Sequence, residues 1–165
     1  MPLAVHKRTS TLILPSSHPS SLQIYSPSCS RLISELEISP SNRISRRDKQ
    51  PIEQSYVEQV AVSLSGDWLA SIDSRDGDDR VRGEIYLKIW WWDPATDRWI
   101  LNTRIDRPHA LKRVTSLSFS PSLGKSGPIQ LVTAGDDGNI KMWGLRTNGR
   151  KSEAIEGFIF PVSRL

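Results

Sequence analysis

His109, Thr133 and Asp137 supply an imidazole, a hydroxyl and a carboxylate, the groups from which a hydrolase assembles its base, its nucleophile and its orienting acid. The Gly-x-Ser-x-Gly turn that presents such a nucleophile occurs nowhere in the chain. A buried imidazole between a carboxylate and a hydroxyl is also a common way to fix the geometry of a sheet, because each group satisfies the next. The structural role is therefore the expectation, and no catalytic residue is assigned. Cys29 is the sole cysteine, so neither an internal disulfide nor a cysteine-rich zinc site is available. His6 and His18 lie among Ser and Pro with no second ligand at a useful spacing. With no phosphate-cradling glycine loop, cofactor fingerprint or paired acid motif, the expectation is a protein that is not an enzyme and carries no metal or cofactor.

Two further groups of residues invite a binding role. Trp90, Trp91 and Trp92 are consecutive, and alternation along a strand sends Trp91 to the face opposite the other two. Trp91, Trp92 and Trp99 are candidate partner contacts, since aromatic side chains are favoured at interface hot spots. The competing expectation packs two of the consecutive tryptophans into cores between sheets and lays the third over a loop with Trp99. Arg43, Arg46, Arg47 and Lys49 form the densest basic stretch, suited to RNA phosphates or to a nuclear targeting address, and a solvated linker accounts for it equally well. Residues 73–84 mix Asp73, Asp76, Asp78, Asp79 and Glu84 with Arg75, Arg80 and Arg82, which is expected to be a solvated loop.

These residues need a scaffold, and the scaffold is written in short strands. Gly and Pro break up brief apolar stretches throughout, and no window holds a helical period. Three segments repeat one pattern of apolar, polar, apolar and aromatic: Leu22-Gln-Ile-Tyr25, Leu87-Lys-Ile-Trp90 and Ile140-Lys-Met-Trp143. Upstream, Val60-Ala-Val-Ser-Leu-Ser65 matches Thr115-Ser-Leu-Ser-Phe-Ser120. The 165 residues carry a formal charge of +4, with both signs scattered along the chain, so any pull toward nucleic acid is modest. The apolar run Leu12-Ile13-Leu14 ends at Pro15, too short for a signal core or a membrane span, and an intracellular, membrane-free setting is expected. The expected organisation is a partial repeat at 9–38, a polar basic linker at 39–55, a degenerate repeat with a charged insertion at 56–107, a full repeat at 108–146 and an unassigned tail at 147–165.

The wording of the third repeat, Val114-Thr-Ser-Leu-Ser-Phe-Ser-Pro121 and then Leu131-Val-Thr-Ala-Gly-Asp-Asp-Gly-Asn-Ile-Lys-Met-Trp143, resembles a WD40 propeller blade. The resemblance implies an all-β, WD40-type β-propeller. It also places His109, Thr133, Asp137 and Trp143 at the positions of that repeat's buried structural tetrad. A blade takes roughly 40–45 residues and a closed ring about 4–8 blades, so two to three blades are expected here and the missing ones are themselves implied partners.

More narrowly, the chain resembles the WD repeat-containing protein 75 family of small-subunit processome subunits. The resemblance rests on Val60-Ala-Val-Ser-Leu-Ser-Gly-Asp-Trp-Leu-Ala-Ser-Ile-Asp-Ser-Arg75, on Leu87-Lys-Ile-Trp-Trp-Trp-Asp93, on Ile100-Leu-Asn-Thr-Arg-Ile-Asp-Arg-Pro-His109 and on Val114 to Pro121. It implies a nucleolar, non-catalytic scaffold that supports RNA polymerase I transcription and small-subunit RNA maturation. The implied partners are other WD-repeat processome subunits, with pre-ribosomal or small nucleolar RNA as further ones. The alternative is a generic WD-repeat adaptor, such as a ubiquitin-ligase receptor or a chromatin or trafficking component.

Overall fold

A computed structural model describes residues 2–40, 53–77, 82–121, 129–148 and 151–161, and from 146 onward the course of the backbone only. The described residues form three four-stranded antiparallel sheets. Sheet 1 holds β1 (Ala4–His6), β2 (Thr11–Pro15), β3 (Ser21–Ser26) and β4 (Arg31–Glu37). Sheet 2 holds β5 (Tyr56–Val62), β6 (Trp68–Arg75), β7 (Glu84–Asp93) and β8 (Arg98–Asp106). Sheet 3 holds β9 (Val114–Phe119), β10 (Ile129–Gly135), β11 (Asn139–Asn148) and β12 (Lys151–Pro161). In each, consecutive strands are neighbours, and β5 touches both β1 and β9. This is a partial β-propeller of three blades, within the two to three expected from the repeats.

The repeats account for the strands, and short turns account for their meander. Ser10, Ser30 and Asp97 each stand last in a hairpin turn with φ between 50° and 53°, which reverses the chain just before the next strand. At the third of these, Asp93 accepts from the Ala95 amide at 3.0 Å and the Thr96 hydroxyl at 2.7 Å, an Asx-type turn. β1 and β4 complete sheet 1 around the strand pair that the sequence makes plain, with β1 lying N-terminal to the stretch assigned to the first repeat. At the other end, β12 runs through the stretch left unassigned and pairs along β11 from Asn139 to Asn148.

Sheet 2 lies between the other two, and its central strands are buried on both faces. Trp68, Ala70, Ile72, Leu87 and Ile89 pack with Val114, Leu131, Trp143 and Leu145 of sheet 3. The intervening residues Leu69, Trp90 and Trp92 pack with Ile13, Leu22 and Ile24 of sheet 1. Burying each such apolar side chain contributes roughly 1.5–3 kcal/mol, so these two cores are the main force joining the sheets. Polar links add register. The Gln59 amide donates to the Val114 carbonyl at 2.7 Å across sheets 2 and 3. The connection leaving sheet 1 is held where the Ile38 and Ser39 amides donate to the Ser20 carbonyl at 3.0 and 3.2 Å.

Candidate functional site

The sequence-defined polar residues of sheet 3 meet at one point. His109 enters on the β8–β9 connection between Arg107 and Ala110, both at positive φ, and the connection is closed by the Ala110 amide donating to the Arg107 carbonyl at 3.0 Å. Asp137 comes from the β10–β11 turn, where Gly138 takes φ +76° and donates its amide to the Gly135 carbonyl at 3.0 Å. Thr133 and Trp143 face the same side of β10 and β11. His109 Nδ1 lies 2.8 Å from Asp137 Oδ1, and Nε2 lies 2.8 Å from Thr133 Oγ1. Trp143 Nε1 donates to the same hydroxyl at 3.1 Å.

These partners fix the direction of donation. The carboxylate requires a proton on Nδ1, leaving Nε2 to accept from Thr133, whose oxygen accepts from the indole. Burial works against the charge on Asp137, but hydrogen bonds from Asn139 and His109 outweigh it and hold its carboxyl down to about 2. His109 and Thr133 are fully buried, so neither the imidazole nor the hydroxyl of this triad-like set is exposed to solvent.

The aromatic residues separate. Trp91 is 39 % exposed, but Trp92 and Trp99 are buried at 6 % and 7 %, which removes them from the candidate partner contacts. The reason is that sheet 1 covers that face of sheet 2. There Trp92 and Trp99 meet edge to face at 5.1 Å between ring centroids, and the His6 ring lies 4.8 and 4.9 Å from them. His6 Nε2 donates to the Gly66 carbonyl at 2.9 Å and Nδ1 accepts from the Thr9 hydroxyl at 2.8 Å. Trp90 packs in the same core, with Nε1 donating to Ser71 Oγ at 3.0 Å. The three tryptophans thus divide as alternation requires, two into one core and Trp91 to the other face.

The acidic insertion also divides. Asp73 is not part of a solvated loop: it is fully buried on β6, because that strand runs on to Arg75, three residues into the stretch expected to be a loop. Lys88, itself buried, places Nζ 2.9 Å from both carboxylate oxygens and donates to the Ile38 carbonyl at 2.7 Å. Burial pushes the Asp73 carboxyl up, while Lys88 and a hydrogen bond from Ser39 pull it down; burial prevails. Arg75 pairs with Glu84 at 3.0 Å across the base of the insertion. Residues 78–81 lie outside the described residues, as do Arg43, Arg46, Arg47 and Lys49, the basic stretch considered for RNA or targeting.

Sequence alone gave no role to His6 or to the Asp73–Lys88 pair, since their partners are distant in the chain. A signal for the second did exist: Lys88 and Lys141 occupy the same place in the repeated Leu-Lys-Ile-Trp and Ile-Lys-Met-Trp strands.

Comparison with known proteins bears on the whole chain. The family model described as the WD repeat-containing protein 75 second beta-propeller matches residues 3–158. WD repeat-containing protein 75 of Xenopus laevis is 34 % identical over 151 residues, covering 88 % of this chain and 17 % of the relative. The Homo sapiens protein of that name is 32 % identical over 141 residues, covering 86 % and 16 %. U3 small nucleolar RNA-associated protein 17 of Schizosaccharomyces pombe is 32 % identical over 106 residues, covering 59 % and 12 %. The chain spans less than a fifth of the length of these relatives.

Proposed function

The chain belongs to the WD repeat-containing protein 75 family, and from that membership we propose that it acts as part of a non-catalytic scaffold in ribosome biogenesis. The match of residues 3–158 to that family's second propeller carries the proposal, because it covers all three sheets at once. In this role the chain works in the nucleolus among other WD-repeat subunits of the small-subunit processome, supporting RNA polymerase I transcription and maturation of the small-subunit RNA. The name of the fission-yeast relative adds association with U3 small nucleolar RNA.

The buried polar groups fit a scaffold. His109, Thr133, Asp137 and Trp143 spend their hydrogen bonds on one another and act as a structural tetrad that fixes the third blade. Function then resides in surfaces presented by rigid sheets, among which Trp91 is the exposed member of the aromatic strand.

The test is affinity purification of the tagged protein from nuclear extract at physiological salt, with bound RNA and protein both measured. Pre-ribosomal RNA and U3 small nucleolar RNA are expected to be enriched together with other WD-repeat proteins, and depletion of the protein should lower small-subunit RNA relative to large. Recovery of ubiquitin-ligase or trafficking components without either RNA would replace this function by that of a general adaptor.

A further inference from the structure

The second sheet lacks the histidine and the turn aspartate of the third, yet its polar interior is not empty. The two sheets correspond through their registers: Leu69 pairs with Trp90 and Ser71 with Lys88 in one, Leu131 with Trp143 and Thr133 with Lys141 in the other. The indole of Trp90 donates to Ser71 at 3.0 Å, just as that of Trp143 donates to Thr133 at 3.1 Å. Lys88 donates to the Ile38 carbonyl at 2.7 Å, and Lys141 to the Pro108 carbonyl at 2.5 Å. Those carbonyls belong to the residues just before Ser39 and His109, so Ser39 stands where the histidine stands in sheet 3. By the same count, two residues beyond the hydroxyl, Asp73 stands where Gly135 does.

Size links the two differences. A Cβ at Gly135 would lie 2.5 Å from Cγ and Nδ1 of His109 and 2.9 Å from Oδ1 of Asp137, all well inside contact distance. The imidazole therefore demands glycine opposite it. Where the imidazole is replaced by the small Ser39, an aspartate fits, and its carboxylate is held by Lys88, with Ser39 close enough to favour its charged form. We propose that Ser39, Asp73, Lys88, Ser71 and Trp90 form a rebuilt five-residue network in place of the tetrad, in which the acid has moved from the turn onto the strand. The position corresponding to Asp137 is then Arg75, so the β6–β7 turn is not tied to a histidine through that position. That release permits the charged insertion between Arg75 and Glu84, which borders a recess of about 280 Å³ lined by Tyr56, Glu58, Leu111 and Arg113. In sheet 3 the turn must stay tight because Asp137 reports to His109.

With Thr133 supplying the hydroxyl, the rebuilt network differs from sheet 3 at three positions, His109, Gly135 and Asp137, so three substitutions transplant it there. The experiment uses the full chain and follows urea unfolding by tryptophan fluorescence. Gly135→Asp and His109→Ser are each expected to raise the unfolded-to-folded ratio by about tenfold or more, through crowding in the first and unsatisfied partners in the second. Combined with Asp137→Ala, which removes the carboxylate 2.9 Å from the new Cβ, they should restore stability to within about threefold of the parent, because neighbouring substitutions couple. If Gly135→Asp alone gives no soluble chain, the triple substitution must still give one.

A triple substitution no more stable than the worse of the two single ones overturns the proposal. Release of the turn is measured in sheet 2, where replacing residues 76–83 by Asn-Gly should change the ratio by less than about threefold, against about tenfold or more for Lys88→Met, which strands a buried carboxylate. A shortened turn that costs as much as Lys88→Met also overturns it.

Discussion

At the scale of single residues, visibility in the sequence follows the distance between partners. Thr133, Asp137 and Trp143 lie on one hairpin, where a turn dipeptide and strand alternation fix their spacing, and His109 falls at the repeat's expected offset. His6 shows no such pattern, because its partners Gly66, Trp92 and Trp99 come from a different sheet. Its burial has a measurable consequence. Burial lowers the His6 pKa below 6.5, and the hydrogen bond to Gly66 and the charge of Asp67 only partly offset that. The folded state thus binds fewer protons than the unfolded one over the interval between the lowered pKa and 6.5. Stability is full above that interval and falls as pH drops through it, by at most about 1.4 kcal/mol per pH unit for one proton. Urea midpoints measured at pH 7.5 and 5.5 should show a smaller fall in His6→Gln than in the parent. Equal falls would assign the acid sensitivity to other groups.

At the scale of the element, strand β7 shows what alternation can and cannot reveal. The division of Trp90, Trp91 and Trp92 between two faces was legible from period 2. Which face would be covered was not, because that depends on sheet 1 arriving from a separate repeat. The register shift between Ile89 and Trp90 opposite β8 was equally hidden; it leaves Leu101 across from Trp90 and aligns Trp99 with Trp92 inside the core. These placements separate the tryptophans energetically. Trp92→Ala should destabilise by about 3–5 kcal/mol, through lost burial and the cavity beside His6 and Trp99. Trp91→Ala should cost less than about 1 kcal/mol, since its ring is partly in water already. Thermal unfolding of both variants decides the matter, and comparable losses would mean that Trp91 is packed as tightly as its neighbours.

At the scale of the whole molecule, the same alternation that fills the two cores leaves an apolar face at each end of the stack. On sheet 1 the registers place Val5, Leu12, Tyr25 and Leu32 on the side away from sheet 2, with Val5 and Leu32 52 % and 53 % exposed. On sheet 3, Val132 and Met142 are paired on the side away from sheet 2, and Ile140 on that face is 38 % exposed. The repeats made three sheets legible, but only the registers identify which side chains each end face presents. Uncovered faces of repeat arrays attract other apolar surfaces, as do sheet edges such as those formed by the outer strands β4 and β8. The 165-residue chain in isolation should therefore self-associate, with a weight-average mass in sedimentation that rises over micromolar concentrations. Val5→Lys combined with Leu32→Lys should suppress that rise while leaving the urea midpoint nearly unchanged, because neither residue contributes to the two cores. If mass stayed monomeric at every concentration, the end faces would be soluble as they stand. If the double substitution lowered the midpoint instead, those side chains would be packed rather than exposed, and the face they occupy would be part of the interior.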